Sequence, residues 1–205
     1  MNLNAFPTKG NLMLAKNSLS LARLGYGLMD KKRNILIREL MKLIDQAKEI
    51  QSKIDSTYTE AYLALQQANI ELGIDYVEAA ANSVPVENGI QIKVRSVMGT
   101  EIPLVRHEET PLHLTYAYYS TRESLDIARE KFQTVKEFTI QLSMVENSAY
   151  RLAANIKKTQ KRANALKNIT IPGYEHLTKS ITDSLEEKER EEFTRLKVIK
   201  RMNLE

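Results

Sequence analysis

Cysteine and tryptophan are absent from this chain of 205 residues, and aromatic side chains make up only 6% of it. Without a thiol there is no disulfide, no thiolate ligand and no redox chemistry, a composition that fits a reducing compartment. Few aromatics and 27% charged residues argue against a large globular core and for a thin apolar seam. The longest unbroken apolar run, Ala61 to Leu65, falls far short of the ~20 residues a membrane span needs. The N-terminus has no apolar region of the kind that leads a secretory signal. The expectation is a soluble, intracellular protein with no direct membrane insertion.

Catalytic signatures are missing as well. There is no GxxxxGK[ST], GxGxxG or GxSxG, hence no phosphate cradle, nucleophile elbow or cofactor site. Histidine occurs only as His107, His113 and His176. His107 and His113, with Glu108 and Glu109, come nearest to a metal-ligand set, but read more simply as a solvated loop. No catalytic and no metal residue is assigned.

Proline is scarce in an informative way. Pro7, Pro85, Pro103, Pro111 and Pro172 leave two long stretches with none. In the first, Leu36, Leu40, Leu43, Ala47, Ile50, Ile54, Tyr58, Ala61, Leu65, Ala68 and Leu72 recur at alternating steps of four and three, with one repeated four that relaxes a left-handed supercoil. In the second, Leu125, Ala128, Phe132, Val135, Thr139, Leu142, Val145, Ala149, Leu152, Ile156, Thr159, Ala163 and Leu166 keep nearly the same rhythm. Many of these positions are Ala or Thr, so the helices can approach closely while burying little area per turn.

Pro85, Gly89, Gly99, Pro103 and Pro111 concentrate the turn chemistry between the two stretches. There Ile90, Ile92 and Val94 alternate with Gln91, Lys93 and Arg95, followed by Met98, Gly99 and Thr100 and then Ile102, Leu104 and Val105. This predicts a β-hairpin entered at Asn88 and Gly89, with Pro103 confining the return strand to an edge. The expected fold is mainly α: a long antiparallel two-helix coiled coil with a small central β-hairpin insert. Residues 1–80 form the first helix, 81–115 the insert at the bend, and 116–205 the second helix, interrupted with a kink near Pro172. Opposing residue 72 to about 116 sets the first 38 residues beside the stretch from about 150 onward.

That pairing concentrates charge. Lys9, Lys16, Arg23, Lys31, Lys32, Arg33 and Arg38 face the single acid Asp30 within residues 1–38, and Arg151, Lys157, Lys158, Lys161, Arg162 and Lys167 occur with no acid in 151–167. Residues 39–84 hold eight acids and three bases, so the net charge of +4 hides a basic free end and an acidic part nearer the bend. Like charges side by side call for a partner of opposite sign. Nucleic acid is the obvious candidate, but no recognition helix, zinc-finger spacing or aromatic platform accompanies the basic runs, and it is set aside. Tyr116, Tyr118 and Tyr119 read as packing against the hairpin, with a docking surface near the bend as the alternative. Gly25 and Gly27 either permit a close helix approach or a bend, or are simply tolerated.

The termini carry the most specific text. Pro7, Thr8, Lys9, Asn11, Leu12, Leu19, Ala22, Gly25, Leu28, Met29 and the run Asp30 to Arg33 resemble the opening of the D subunit of the V-type and archaeal-type rotary ATPases. The run Lys161 to Leu166, then Ile171, Pro172, Ile181 and Leu185 to Lys200, is similar to that family's C-terminal helix, with Thr194 standing where an aromatic is usual and Lys161 where Arg is commoner. Within that last stretch Glu186–Arg190 and Glu191–Arg195 are i,i+4 pairs in the favourable order, and Leu185, Phe193 and Leu196 mark an apolar side. The resemblance covers essentially the whole chain.

It implies a non-catalytic central rotor shaft on the cytoplasmic face of a membrane, coupling proton or sodium-ion translocation to ATP synthesis or hydrolysis. The implied partners are the catalytic and regulatory head subunits, a small central-stalk subunit and a membrane-rotor adaptor subunit. The thirteen cations of the basic runs are the expected head contacts. Ile92, Val94, Tyr116 and Tyr119 are the expected contacts with the small stalk subunit. A passive coiled-coil scaffold or tether remains the rival, and pairing topology separates them, since most tethers are parallel homodimers.

Overall fold

A computed structural model of the chain describes residues 6–86, 89–107 and 115–202, without the side chains of His107 and Tyr118. The expectations for Asn88, Glu108, Glu109, Pro111 and His113 lie outside the described residues. The fold is mainly α with one small antiparallel sheet: α1 Lys9–Leu72, α2 Ile74–Asn82, β1 Ile90–Val97, β2 Thr100–His107, a 3-10 turn Tyr118–Ser120, α3 Glu123–Ala165, a π turn Leu166–Thr170 and α4 Ile171–Met202. No helix among the described residues is long and apolar enough to cross a membrane. The chain divides into two compact units, Met1–Ile35 with Ile156–Glu205, and Leu36–Asn155.

In the unit Leu36–Asn155, the later part of α1 and most of α3 run antiparallel. Lys131 Nζ reaches Glu60 Oε2 at 2.6 Å, Ser124 Oγ donates to Glu71 Oε2 at 2.7 Å, and the Tyr62 ring stands edge-on to Phe132 with centroids 5.6 Å apart. The alternating seam read from the sequence is the face that packs. Leu36, Ile54, Ala61, Ala68, Leu125, Ala128, Val135, Val145 and Leu152 are buried and the intervening seam residues half-buried, with the exception of Thr139, which is exposed. Thr139 instead turns its hydroxyl back onto the Val135 carbonyl at 2.8 Å.

The first helix ends earlier than residue 80 and the second begins later than 116. Gly73 adopts φ 87°, a left-handed conformation that side chains disfavour, so α1 stops at Leu72 and α2 leaves in a new direction. That turn brings Val77 and Ala80 into a small core with Ala68 and Leu125, closed by Leu65, Leu72 and Tyr116. Residues 115–122 are turn rather than helix, so Glu71 meets Ser124 where the expected register put 72 against about 116.

The hairpin is built as the sequence indicates, but it does not simply cap the bend. Met98 and Gly99 both take positive φ, 49° and 74°, the two-residue turn whose twist suits a hairpin. β2 then lies with its outer edge along α3. Val105 N donates to Met144 Sδ at 3.3 Å, Ser148 Oγ to the Pro103 carbonyl at 3.4 Å and Arg151 Nη1 to the Glu101 carbonyl at 3.3 Å, while Asn155 Nδ2 bonds to Thr100 Oγ1. Residues 144, 148, 151 and 155 form a second stripe on α3, beside the seam.

In the other unit, Thr8 starts α1: its hydroxyl accepts from Asn11 N at 3.2 Å, capping a free amide of the first turn. The early part of α1 runs antiparallel to the end of α3 and to α4, joined by Arg33 Nη1 to Gln160 Oε1 at 2.8 Å, Arg23 to Glu175 at 2.7 Å and Lys9 to Glu189 at 3.1 Å. Ala15, Ala22, Ala163 and Ile181 are buried there.

The interruption near Pro172 takes a different form from a break. Helical backbone is continuous from 123 to 202, and the irregularity is the π turn just upstream, where Ile171 N–H reaches back to Leu166 O, five residues away. Proline lacks the amide of a regular turn, and its ring collides with the carbonyl four residues back. A wider turn leading into it relieves that conflict without ending the helix. Gly25 is not a required close approach either: an added Cβ would sit 3.9 Å from Leu166 Cδ1, an ordinary contact, and at Gly27 it would meet nothing within 4 Å.

Candidate functional site: a basic helical face and an open strand edge

The cations singled out in the sequence divide into those already satisfied and those left over. Lys9 and Arg23 pair with Glu189 and Glu175, Arg33 pairs with Asp30 at 2.6 Å, and Arg151 holds a hairpin carbonyl. Lys16, Lys31, Lys32, Arg38, Lys157, Lys158, Lys161, Arg162 and Lys167 make no ion pair with another described residue. All but the half-buried Lys32 are exposed.

The Arg33–Gln160 bond ties the Lys31–Lys32 level of α1 to the 157–162 level of α3 within one unit. On α3 the cations repeat at i,i+4, Lys157 with Lys161 and Lys158 with Arg162. Each such like-charged pair destabilises a helix by roughly 0.2–0.5 kcal/mol. Arg38 and Arg151 belong to the other unit.

Sequence reasoning missed an apolar stripe on the same stretch of α1. Leu14, Leu21 and Leu28 recur every seven residues and remain 65–69% exposed, with Leu24 beside them at 64%. The signal was present in their seven-residue spacing, but the seam read from the sequence began only at Leu36. Towards the end of α4, Leu185 is half-buried whereas Phe193 and Leu196 are 68% and 66% exposed. The expected i,i+4 pairs form at the rim of contact, Arg190–Glu186 at 3.8 Å and Arg195–Glu191 at 3.9 Å.

In the unit Leu36–Asn155 the tyrosines have separate fates. Tyr116 is half-buried, its hydroxyl donating to Asp126 Oδ1 at 2.5 Å with the Arg129 guanidinium 5.4 Å above its ring. Burial first, and then the bond to Asp126, push its pKa above the ordinary tyrosine value. Tyr119 projects fully into solvent. Ile92 and Val94 are 70% and 62% exposed on β1, the strand turned away from α3. Tyr116 therefore serves the core, while Tyr119, Ile92 and Val94 remain open to a partner.

Two further features lie close to the bend of the chain. A shallow groove of about 390 Å³ is lined by Ala64, Gln67, Glu71, Arg122, Ser124 and Ile127 among others. Within it, hydrogen bonds from Gln67 and then Ser124 hold the Glu71 carboxyl below the usual glutamate pKa.

The sequence profile of a known family, the D subunit of ATP synthase, matches residues 11–201. The D subunit of a V-type ATP synthase from Thermotoga neapolitana is 43% identical over 198 residues, covering 97% of this chain and 98% of the relative. The D subunit of an A-type ATP synthase from Thermococcus kodakarensis is 35% identical, covering 97% and 94%. Its A-type counterpart from Methanobrevibacter smithii is 37% identical, covering 95% and 85%.

Proposed function

The chain belongs to the ATP synthase D-subunit family, and we propose that within a rotary ATPase it is the central-stalk shaft, turning inside the catalytic and regulatory head. Ion flow through the membrane sector turns the shaft in the synthetic direction, and ATP hydrolysis in the head turns it in reverse. The chain itself is non-catalytic and peripheral, working on the cytoplasmic face against head subunits, a small stalk subunit and a membrane-rotor adaptor.

The observation that carries this reading is the unpaired basic face of the unit Met1–Ile35 with Ile156–Glu205, set beside the exposed Leu14–Leu21–Leu28 stripe. An isolated chain gains nothing from like charges at i,i+4, whereas acidic residues lining a head would offset them. Such contacts are exposed and screened by salt, each on the order of 0–1 kcal/mol, so they guide a turning shaft without locking it. Antiparallel pairing of one chain with itself, seen at Arg23–Glu175 and at Glu60–Lys131, favours a shaft over a parallel dimeric tether. Tyr119, Ile92 and Val94 are the proposed contacts for the small stalk subunit, with Tyr116 withdrawn because its hydroxyl is engaged by Asp126.

The test is ATPase turnover of a purified head with and without the full chain, alongside sizing chromatography. Incorporation of one copy with altered turnover is the expected result. A chain that ignores the head and elutes as an elongated homodimer would leave the tether reading in its place.

A further inference from the structure

The two edges of the hairpin are treated differently. On β2, Val105 N–H and the carbonyls of Pro103 and Glu101 point at α3 and are engaged there. Backbone groups in an antiparallel pair alternate in direction, so residues 101, 103 and 105 stand at the positions that do not bond across the ladder. Their register partners are Ser96, Val94 and Ile92. The amides and carbonyls of Ile92, Val94 and Ser96 therefore point away from β2, along an edge that no described strand covers. Pro103 costs the ladder nothing, because its missing N–H falls on the outer side.

Free edges of this kind are usually blunted by proline, a bulge or a covering element. β2 has a proline and α3 beside it; among the described residues β1 has neither, and it shows Ile90, Ile92 and Val94 exposed on one side of the strand. On its other side stand Gln91, Lys93 and Arg95, two cations with no anion anywhere in Ile90–Val97. A second copy of this strand laid antiparallel would set cation against cation, which is unfavourable for directly opposed residues. A strand with alternating apolar and acidic residues meets both sides at once.

We propose that the outer edge of β1 receives an extended segment of another subunit of the assembly, apolar and acidic at alternate positions, as a third strand. The inference rests on the shaft reading only for the source of that segment. Main-chain bonds from Ile92 and Val94 would supply the affinity, and Lys93 and Arg95 would select the acidic register.

The test is residue-resolved amide exchange on the full chain, free and in the complex reconstituted with head and small stalk subunit. Free, the Lys93 and Arg95 amides should be protected by the ladder and those of Ile92 and Val94 should exchange fast. In the complex the Ile92 and Val94 amides should slow by ~10-fold or more, as expected for amides newly held in a cooperative unit. Val94→Pro removes an outward N–H but no ladder donor, and should release the added segment; the double charge reversal K93E/R95E should do the same with the hairpin intact. Incorporation with Ile92 and Val94 still fast overturns strand addition and leaves the shaft reading standing. Failure to incorporate at all overturns both. Self-association of the free chain with those two amides protected overturns it in favour of a second copy.

Discussion

Arg33 and Gln160 meet at 2.8 Å, Nη1 to Oε1, across two helices 127 residues apart in sequence. That bond sets two basic runs at one level, and it is made by the one cation of its run that is also neutralised locally, through Asp30 at 2.6 Å. Arg33 thus aligns the helices, and its neighbours Lys31 and Lys32 are left for something else. Neutralising the α3 run therefore has opposite consequences for the isolated chain and for the assembly. Lys157→Gln with Lys158→Gln should leave the isolated chain equally or slightly more stable, by up to ~0.5 kcal/mol per relieved i,i+4 repulsion. The same variant should bind the head more weakly, with the deficit shrinking as salt rises. Thermal melts together with co-elution at low and high salt check both halves; head binding that is unchanged at low salt would remove the basic face from the interface.

Gly73 and Gly27 make opposite demands on the backbone. Gly73 holds φ 87° between α1 and α2, where any side chain is strained, so Gly73→Ala should cost on the order of 1–3 kcal/mol. Gly27 lies inside α1 with open space around it, so Gly27→Ala should stabilise by about 0.5–1 kcal/mol. Urea unfolding followed by circular dichroism measures both, and equal effects at the two sites would refute the assignment of Gly73 as the residue that redirects the chain.

The long seams were legible because burial along a two-helix contact imposes its own period: Leu36, Ala61, Ala68, Leu125 and Leu152 all fall where the spacing put them. The hairpin was legible from its alternation and from Met98–Gly99. Besides the Leu14–Leu21–Leu28 stripe, what escaped was decided by polar groups and by a single glycine. Ser148 is 2% exposed beneath the hairpin, but a serine between Val145 and Leu152 carries no hydrophobic signal. The stripe Met144, Ser148, Arg151, Asn155 therefore left no trace in the apolar pattern, and only Arg151 was singled out, as one cation of a basic run. The end of α1 at Gly73 was similarly hidden, since a single glycine in a helical pattern is usually tolerated.

Met98 is the one described non-glycine residue with a positive φ, at 49°. A left-handed conformation costs an ordinary side chain roughly 1–2 kcal/mol, less for Asn and nothing comparable for Gly. Met98→Asn or Met98→Gly should therefore raise hairpin stability by about 1 kcal/mol, read as slower amide exchange at the ladder positions Arg95 and Ile102. Slower exchange with neither variant would mean that the half-exposed Met98 side chain makes a contact worth more than the strain.

Tyr116 gives the chain a stability change at alkaline pH. Its burial, reinforced by the bond to Asp126, raises the phenol pKa above the ordinary value of 10.0. Between that value and the higher folded one, the unfolded chain releases a proton that the folded chain keeps, so stability is whole below pH 10 and falls as pH climbs towards the folded pKa. Tyr116→Phe preserves the ring against the core of Ala68, Val77, Ala80 and Leu125 and removes the titrating group. The variant should be less stable than the parent at neutral pH, because the bond to Asp126 is lost, and the gap should narrow as pH rises from about 9 to 11. Urea midpoints for both chains across that range cancel the contributions of the lysines, which the two share. A gap that stays constant with pH would show that the phenol ionises equally well folded and unfolded, and that the Asp126 bond places no charge-dependent constraint on the start of α3.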